Sequence, residues 1–600
     1  MYLYNLKLWN FRKFGKDGGD LDLTRPHLCV DFGAGVNLLV GENDSGKSTI
    51  IDAIKLVLRT HSIEWVRVEA EDFYQESSRL RIECVFTDLK DDEAKHFIEW
   101  LSVEQKDSKV EPFLRLILDV RKTPERILPY EVKAGSDAEG RTLSADAKDY
   151  LKATYLRPLR DAKAELIARK NSRLSQILYS HPVFKEKEAH TLVTVLSGAN
   201  EKIKEYFEKE ADKGTNGFIV LETLKKYLAS FLRKGSSQNA KFHIDDPKLK
   251  NILEILKLTL NDERSGLGTY NLLFIAAELL HLKKENYTGL KLGLIEEIEA
   301  HLHPQAQLRV MAALDKETSE NGAQLILSTH SPNLASKVPI NNLILCHGDN
   351  VYPLGDSYTN LKSTDYSFLE RFLDVTKANL FFAQGVILVE GDAENILVPT
   401  IAKLIGKDLS ESGVSVIKVG GIIFLRYAKI FQRKTGPDLK IPVSVITDSD
   451  ISPDAKPEEK TEAIKKRKEK FNGQSVKTFV APEKTLEYCL ALSPYIRELL
   501  FNAIKSAGEE MTNDGYSGKK IVENWTTFKG TLSDIDLAKK LYSLLTDEGK
   551  KISKAITAQH LAELLDAKYE DNTFRDNLKK DNEIDYIVQA IVYATSYPNN

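Results

Sequence analysis

Short apolar runs that end in polar or charged residues recur along this chain, and stretches with apolar side chains at helical spacing follow them. The first clear case is Val36 to Val40, which leads through residues 41–49 into a predicted helix at 50–59. Further buried strands are predicted at 290–297, 324–330 and 343–346. Strands and helices that alternate in this way are typical of an α/β protein with a parallel sheet.

A second series of apolar runs lies in the C-terminal half, at 386–390, 414–419, 441–447 and 475–480. Helical stretches separate these runs, so they predict a second α/β unit distinct from the first. Between the two series, from Leu156 to about Lys241, the chain is highly charged and is predicted to be helical. The residues from Pro494 onward are also predicted to be mostly helical.

The stretch between the first strand and helix fits the pattern G-x-x-x-x-G-K-[ST] of phosphate-binding loops. The predicted nucleotide-binding residues are Gly41, Glu42, Asn43, Asp44, Ser45, Gly46, Lys47, Ser48 and Thr49. In such loops backbone amides cradle the phosphates, a lysine reaches the β- and γ-phosphates and a hydroxyl binds Mg²⁺. Lys47 and Ser48 occupy those two positions. The order of strand, loop and helix favours nucleotide binding over a glycine-rich turn.

Two carboxylates close one predicted strand of the first series, and a histidine closes the next. Hydrolysis of a bound nucleotide needs a carboxylate for Mg²⁺, a group that orients the attacking water and a sensor of the γ-phosphate. We predict that Glu296 serves the metal, Glu297 the water and His330 the γ-phosphate. His301 and His303 follow the acidic strand, and we interpret them as packing or capping residues rather than metal ligands.

A second group of acidic residues lies at strand ends of the C-terminal series. Glu390 ends one strand one helical turn before Glu394, while Asp448 and Asp450 follow another strand. Carboxylates that meet at the edge of a parallel sheet repel one another unless divalent cations neutralise them, and Mg²⁺ or Mn²⁺ suits oxygen ligands. Glu487 is a further candidate ligand. Two ions at such a site would serve phosphodiester hydrolysis.

Composition and charge restrict the function only in part. Of the 600 residues, 42% are hydrophobic and 29% are charged, and the net charge of −4 gives no general affinity for nucleic acid. Any DNA contact must therefore come from local basic segments. The segment from Arg157 to Arg173 is more typical of a solvated helix face than of a DNA-binding strip. The segment 456–470 fits a DNA-backbone contact and a solvated loop equally well.

Cysteine spacing and hydropathy argue against several classes of protein. The four cysteines lie far apart and form no C-x-x-C pair, which disfavours a zinc site and a disulfide framework. No window has the length and apolarity of a membrane span, and the first residues lack a signal-peptide pattern. We therefore expect a cytoplasmic protein without a membrane partner.

Four motifs of the first series together resemble the ABC-type ATPase heads of the SMC, RecF and Rad50 group. They are GENDSGKST, RSGLGTYN at 264–271, LIEEIEAHLHP at 294–304 and STHSP at 328–332. In that group, Ser265, Gly266 and Gly268 match the signature loop, which contacts the nucleotide bound by a second subunit. The resemblance thus implies a composite site and a dimer. The signature reads SGLG rather than LSGGQ, which is a departure from the group.

The second series resembles a Toprim domain, in which a strand-end glutamate is followed by a strand-end D-x-D. A Toprim domain after an ABC-type head is similar to the OLD (overcoming lysogenization defect) nucleases, which include the Gabija-type antiphage subunit. That resemblance makes Glu390, Glu394, Asp448, Asp450 and Glu487 the metal ligands. It also assigns Lys554 to transition-state stabilisation, which suits an ammonium group beside a phosphate.

The resemblance implies an α/β fold with four parts. Residues 1–160 and 246–375 would form a RecF/SMC-like ATPase, 161–245 a helical dimerisation insert, and 376–600 a Toprim domain with a helical C-terminal region. The implied activity is an ATP-regulated, Mg²⁺- or Mn²⁺-dependent DNA endonuclease that forms a homodimer or homotetramer. A UvrD-like helicase is the candidate partner in a Gabija-like system.

Two other functions remain as alternatives. A topoisomerase or primase also uses Toprim carboxylates, but neither a DNA-breakage domain with its tyrosine nor a cysteine-rich zinc module is visible in the sequence. An ATP-gated DNA-binding clamp or sensor of the RecF/SMC type, without its own cleavage, is the remaining alternative. The intact acidic set argues against it.

Overall fold

A computed structural model describes the chain from Met1 to Ser596 with internal gaps. The described residues are 1–16, 21–61, 66–106, 109–157, 162–170, 172–184, 190–209, 217–231, 240–242, 248–261, 266–280, 289–421, 424–515, 520–547 and 552–596. The predicted signature residue Ser265 and the basic residue Arg160 lie outside them.

The strands alternate with helices through most of the chain. They are β1 (Tyr2–Trp9), β2 (Leu28–Asp31), β3 (Val36–Val40), β4 (Arg79–Thr87), β5 (Leu101–Lys106), β6 (Lys109–Arg121), β7 (Val132–Ala134), β8 (Arg141–Thr142), β9 (Thr154–Leu156), β10 (Leu292–Ile295), β11 (Gln324–Thr329), β12 (Leu343–His347), β13 (Asn350–Pro353), β14 (Gly385–Val389), β15 (Val414–Lys418), β16 (Val443–Thr447) and β17 (Val476–Val480).

The helices fall before, between and after these strands. They are α1 (Lys47–Leu58), α2 (Asp91–Ala94), α3 (Ala145–Tyr150), α4 (Ala162–Glu165), α5 (Arg173–Ser180), α6 (Thr191–Glu208), α7 (Phe218–Phe231), α8 (Leu249–Glu254), α9 (Leu267–Leu279), α10 (Pro304–Asn321), α11 (Pro332–Ala335), α12 (Ser363–Phe372), α13 (Val375–Ala378), α14 (Asp392–Leu404), α15 (Phe424–Ile430), α16 (Pro457–Phe471), α17 (Leu486–Leu492), α18 (Arg497–Asn513), α19 (Trp525–Lys529), α20 (Asp534–Thr546), α21 (Lys554–Asp566), α22 (Asn572–Leu578) and α23 (Asp585–Ala594).

Three sheets are present in the described part of the chain. One has the order β2-β1-β4-β6-β7-β8, with β5 paired to β6, and its strand pairs β1–β2, β5–β6, β6–β7 and β7–β8 are antiparallel. The second has the order β13-β12-β3-β11-β10-β9, in which β12 runs parallel to β3 and β9 parallel to β10. The third, β15-β14-β16-β17, is entirely parallel.

The chain divides into two compact units. The first comprises Met1–Tyr4, Ile51–Asp72 and Arg81–Ile326, and the second comprises Asn5–Ile50, Phe73–Leu80 and Leu327–Asn600. Each unit has its own core.

In the first unit, α9 packs against helices of the predicted insert. Leu166 and Leu174 are buried with Tyr270 and Phe274 of α9 in one apolar cluster. A buried ion pair accompanies this packing, because Arg173 Nη2 lies 2.6 Å from an oxygen of Glu278, which is fully buried. A buried guanidinium needs such a partner to offset the cost of removing its charge from water.

In the second unit, the all-parallel sheet packs against the C-terminal helices. Ile387 and Ile446 of the sheet share one apolar cluster with Ile401 of α14 and with buried residues of α17 to α23. All five residues of β14 and all five of β16 are buried. Strands covered on both faces read as continuous apolar runs, which is why the sequence pattern located them well.

The predicted α/β fold class is confirmed, and the main strands lie within a few residues of their predicted positions. The short strands β7, β8 and β9 carry too few residues for a periodic signal and were not predicted. The segment 456–470, for which a solvated loop was one interpretation, is instead almost entirely the helix α16. Glutamates near its start and lysines near its end suit the helix dipole.

Candidate active site

The candidate site of the second unit begins where two neighbouring strands end. Glu390 follows β14 and Asp448 follows β16, and these strands are paired in parallel register. Glu390 Oε1 accepts a hydrogen bond of 2.6 Å from the Thr447 hydroxyl and one of 3.3 Å from the Asp448 amide. Parallel pairing therefore brings two carboxylates, 58 positions apart in sequence, to one edge of the sheet.

The third carboxylate comes from the first turn of α14. Glu394 Oε2 accepts a hydrogen bond of 3.1 Å from the amide of Gly391, which precedes the helix. The side chain of Glu394 is nearly buried, with 8% of its residue surface exposed. The amides at the start of a helix favour a negative charge there, so the helix terminus partly offsets the cost of burying this group.

The fourth carboxylate comes from α17. Thr485 caps this helix, and its hydroxyl also donates to Glu487 Oε2 at 2.8 Å. At the same helix start, the amide of Leu486 donates to Asp448 Oδ1 at 2.9 Å. The turn between β17 and α17 thus fixes Glu487 and orients Asp448 at the same time.

Lys554 supplies positive charge to this group. It is the first residue of α21, and its Nζ lies 2.9 Å from Glu487 Oε2. Burial lowers the pKa of Lys554, but attraction to Glu487, the hydrogen bond to Glu487, and the influence of Tyr542 and Asp448 together raise this pKa above its ordinary value. Lys554 is therefore held in its charged form beside the carboxylates. Lys550 and Lys551, which precede it in the same lysine-rich segment, lie outside the described residues.

We refer to Glu390, Glu394, Asp448 and Glu487 as the acid cluster. Burial raises the pKa of Asp448 to about 8, and repulsion from the other three carboxylates adds to the shift. Burial likewise raises the pKa of Glu394, with repulsion from Glu487 and Glu390 as further causes. The four carboxylates therefore repel one another, and the cluster carries more negative charge than the neighbouring groups neutralise.

Asp450, also predicted as a ligand, is not gathered with the other four. Its backbone has the uncommon φ of 54°, and its amide donates to Lys484 O at 3.0 Å. Its carboxylate is largely exposed and pairs with Arg467 of α16. Strand-end spacing alone suggested that Asp448 and Asp450 would point to one side, but the left-handed turn and the ion pair direct Asp450 elsewhere.

The donor set of the acid cluster fits a divalent metal. Its side chains offer only oxygen atoms, which Mg²⁺ and Mn²⁺ prefer. The buried hydroxyl of Ser449, between the two aspartates, has no hydrogen-bond partner in the described part of the chain. Within that part, no three His, Cys, Asp or Glu side chains lie close enough to share one ion. The acid cluster therefore fits a divalent cation through the chemistry of its donor atoms and through its negative charge.

The phosphate loop has the predicted strand–loop–helix form, with β3 before it and α1 starting at Lys47. Lys47 is buried, and its ammonium donates to the carbonyls of Gly41 at 2.8 Å and Glu42 at 2.5 Å. Ser45 is buried, Asn43, Asp44 and Ser48 are exposed, and Glu42 and Thr49 are half-buried. The exposed Ser48 hydroxyl is accessible to a metal ion.

Two glycines of the loop cannot easily be replaced. Gly41 has φ 145°, and a Cβ there would lie 2.3 Å from the carbonyl oxygen of Cys346. Gly46 has φ 99°, and a Cβ there would lie 2.6 Å from the ring of Phe14. Side chains rarely adopt either conformation, so both positions require glycine.

Residues outside the predicted set also contact this loop. Lys13 Nζ donates to Asp44 O at 2.9 Å, and Gln384 donates to the Glu42 carboxylate. Burial raises the pKa of Glu42, although the charge of Lys47 opposes the shift. The motif search missed Lys13 and Gln384 because both are distant from the loop in sequence. The only available signal was the basic, aromatic stretch 12–14.

In the first unit, the acidic strand end carries Glu296 and Glu297 directly after β10. Glu296 is buried and accepts a hydrogen bond of 2.7 Å from the Tyr155 hydroxyl. Glu297 is exposed and has φ 46°. In the second unit, His330 follows β11 and is half-buried. His303 caps α10, accepting from the Gln305 amide at 3.4 Å, as the capping interpretation predicts.

Of the signature segment 264–271, the structure describes Gly266 to Asn271. Gly266 precedes α9, and no atom lies within 4 Å of a Cβ placed there. A Cβ on Gly268 would lie 2.8 Å from the carbonyl oxygen of His301. Asn271 of the same helix donates to Ala300 O at 2.8 Å. Gly268 thus has a packing role in addition to the role predicted for it.

Two family models match the chain. Residues 36–336, about half of the chain, match the AAA domain described for the AbiEii toxin of a Type IV TA system. Residues 381–450 match the TOPRIM domain of proteins like the overcoming lysogenization defect protein. The chain belongs to the family of this AAA domain, and its C-terminal half carries a match to the OLD-like Toprim domain. The second match includes Glu390, Glu394, Asp448 and Asp450 but ends before Glu487 and Lys554.

Curated relatives agree with this assignment. Endonuclease GajA of Bacillus cereus (strain HuB5-5) is 24% identical over 538 residues, covering 76% of this chain and 77% of the relative. The OLD nuclease of Thermus scotoductus is 25% identical over 484 residues, covering 76% and 84%. A solved SmcHead structure matches 59% of this chain and 98% of its own at 17% identity, with a TM-score of 0.34.

The named relatives and the Toprim domain together support a nuclease with an ATPase domain, as predicted from the sequence. An ATPase domain and a Toprim domain imply, in general terms, the use of a nucleotide and a divalent metal. Among the described residues, no helix combines the length and apolarity needed to cross a membrane.

Proposed function

We propose that the protein is an ATP-regulated DNA endonuclease that cleaves phosphodiesters at the acid cluster with Mg²⁺ or Mn²⁺. The observation that carries the proposal is the gathering of four carboxylates from three separate segments next to Lys554. Four buried or half-buried acids that repel one another would be a liability in a purely structural core. A site that binds divalent cations and a phosphodiester accounts for them.

Each residue has a distinct part in this proposal. The cations would be held by the acid cluster, which consists of Glu390, Glu394, Asp448 and Glu487. Asp450 would also bind them once its ion pair with Arg467 is broken. Bound cations would supply charge neutralisation and polarisation of the phosphodiester. Lys554, already charged and next to Glu487, would stabilise negative charge on the phosphate during cleavage.

In this proposal the nucleotide binds at the phosphate loop. Lys47 would exchange its contacts with the carbonyls of Gly41 and Glu42 for contacts with the β- and γ-phosphates, and Ser48 would bind Mg²⁺. The roles predicted for Glu296, Glu297 and His330 in hydrolysis are part of this proposal. So are the signature roles of Ser265, Gly266 and Gly268 toward the nucleotide of a second subunit.

The assembly and the biological role are proposed at the same level. The substrate is DNA, the protein forms a homodimer or homotetramer through the helical insert, and it acts in the cytoplasm without a membrane. The relatives named Endonuclease GajA support the nuclease activity, and the proposed antiphage role, with a UvrD-like helicase as the candidate partner, follows from the resemblance to Gabija-type nucleases. Domain boundaries at 160, 245 and 375 are proposed from the sequence.

The decisive experiment is cleavage of supercoiled plasmid with Mg²⁺ or Mn²⁺, with and without ATP. We expect the wild-type protein to nick or linearise the plasmid only when metal is present. Asp448→Ala should lose this activity and keep its affinity for ATP, because the nucleotide binds at the phosphate loop and not at the acid cluster. The lanes with ATP give the direction of the regulation.

Cleavage by Asp448→Ala at the wild-type rate would show that the acid cluster is not the nuclease site. Absence of cleavage by the wild-type protein in all lanes, despite ATP and DNA binding, would favour the ATP-gated clamp. A control variant is available in Asp392→Ala, since Asp392 lies in the same EGDAE segment but pairs with Lys418 at 2.7 Å. This variant should cleave normally.

A further inference from the structure

Four cations on the segments around the acid cluster are paired with carboxylates. In three of these ion pairs the nitrogen and oxygen atoms lie 2.7 to 2.9 Å apart. In the fourth, Arg467 contacts Asp450 directly. The pairs are Lys460 with Glu483, Arg467 with Asp450, Lys539 with Asp454, and Lys554 with Glu487. A carboxylate partner offsets the charge of such a cation and so weakens its attraction for a substrate phosphate.

Lys484 differs from these four cations. It directly precedes Thr485 and Leu486, whose contacts with Glu487 and Asp448 fix the acid cluster, and its own carbonyl accepts from the Asp450 amide. No carboxylate within the described ranges forms an ion pair with its ammonium group. Instead, Lys484 Nζ lies 5.0 Å from the centroid of the Tyr542 ring.

The Tyr542 ring connects Lys484 to Lys554. Lys554 Nζ lies 6.0 Å from the same ring centroid, so two ammonium groups lie close to one ring. Tyr542 itself is held edge-on against Tyr488 of α17, with ring centroids 5.6 Å apart. An aromatic face attracts a cation without neutralising its charge. Lys484 is therefore positioned while its full positive charge stays available.

We propose that Lys484 binds a backbone phosphate of the DNA and positions the strand for cleavage beside Lys554. This inference rests on the proposed nuclease function and names a DNA-contacting residue for it. The acid cluster repels a phosphate, so the substrate benefits from a fixed cation near the cluster whose charge no carboxylate offsets. Lys484 meets this requirement, whereas the lysines of α16 that pair with glutamates do not.

The test measures DNA binding separately from cleavage. A short fluorescent duplex is titrated with protein by anisotropy in Ca²⁺, over a series of salt concentrations, for wild type, Lys484→Ala, Lys484→Arg and Lys539→Ala. Loss of one phosphate contact should weaken binding by about 3- to 10-fold and reduce the slope of log K against log salt by about 0.9. Lys484→Arg should retain most of the DNA affinity and most of the salt dependence.

Lys539→Ala is the matched control, because Lys539 is a nearby lysine already paired with Asp454. Its affinity and salt slope should equal those of the wild type. Unfolding temperatures of all variants should agree, which separates lost contact from lost structure. In a plasmid assay with Mn²⁺, Lys484→Ala should raise KM for DNA more than it lowers kcat.

An unchanged affinity and salt slope in Lys484→Ala would overturn this inference and leave the nuclease proposal standing if the wild type still cleaves. A fall in kcat with no change in DNA affinity would overturn it too. If the wild type binds DNA but does not cleave, the weaker binding of Lys484→Ala still supports the phosphate contact, and only the nuclease proposal fails. A wild type that binds no duplex contradicts the inference directly.

Discussion

The phosphate loop and the acid cluster are both polar sites that follow buried strands, but they are built in opposite ways. The loop is nine consecutive residues whose one lysine is held by carbonyls of the same loop. The acid cluster is assembled from residues 390–394, 448 and 487, and Lys554 is added from a separate helix. The first is a local structure, whereas the second exists only because distant segments pack together.

The two sites also differ in their electrostatic state. The ammonium group of Lys47 donates to two backbone carbonyl oxygens, and these hydrogen bonds stabilise its buried charge. In the acid cluster, burial and repulsion among the carboxylates raise the pKa values of Asp448 and Glu394. The apolar core of sheet and C-terminal helices must hold these charges together. We therefore expect the loop to be sensitive to local backbone changes and the acid cluster to the charges that surround it.

The largest effect is expected for Lys47→Ala. Removing charge-assisted contacts to the phosphates should weaken ATP binding about 100-fold, as measured by calorimetry. Because the acid cluster is a separate assembly, metal-dependent plasmid cleavage without ATP should be unchanged. Loss of that ATP-independent cleavage in the same variant would mean that the two sites cannot be treated as separate.

The next effect concerns the response of the acid cluster to metal. Mn²⁺ at about 100 times its dissociation constant should stabilise the wild type by ~2.7 kcal/mol, seen as a rise in unfolding temperature. Asp448→Asn should abolish most of this rise, since it removes a charged ligand. Asp392→Asn is the control and should respond like the wild type. Equal stabilisation of Asp448→Asn and wild type would remove Asp448 from the metal site.

A smaller effect is expected for glycines of the phosphate loop. Gly46→Ala should cost about 1–3 kcal/mol locally, because φ 99° is strained for alanine and the Phe14 ring blocks the new methyl group. Its ATP affinity should fall accordingly, with the metal response of the acid cluster intact. Gly33→Ala is the control, since the nearest atom lies at an ordinary contact distance of 3.7 Å. Equal ATP affinities of the two variants would contradict the strained-loop interpretation.

The smallest effect is expected for Arg467→Ala. This change frees Asp450 to approach the metal, and because the ion pair is largely exposed it should contribute at most about 1 kcal/mol. Affinity for Mn²⁺ should therefore rise by about fivefold or less in calorimetric titrations. Lys466→Ala, at the neighbouring position, should leave it unchanged. A lower Mn²⁺ affinity in Arg467→Ala would mean that the arginine supports the site rather than competing for Asp450.

Much of the fold could be predicted because buried parallel strands carry strong local signals. The apolar runs at β3, β14 and β16 located the strands, and the residues that follow them supplied the candidate chemistry. Short strands such as β8, with both residues exposed, gave no such signal. The helical nature of α16 was also missed, since a run of alternating charges fits a loop as well as a solvated helix.

The sequence by itself determined the phosphate loop, because nine consecutive residues contain the whole cradle and its required glycines. It also determined which carboxylates follow which strands, because a strand and its next residue are covalently joined. Only the tertiary structure decided which of those carboxylates gather. Glu390, Glu394, Asp448 and Glu487 meet through strand pairing and helix starts, while a left-handed turn and Arg467 direct Asp450 away. Such contacts depend on packing between distant segments, which no local pattern encodes.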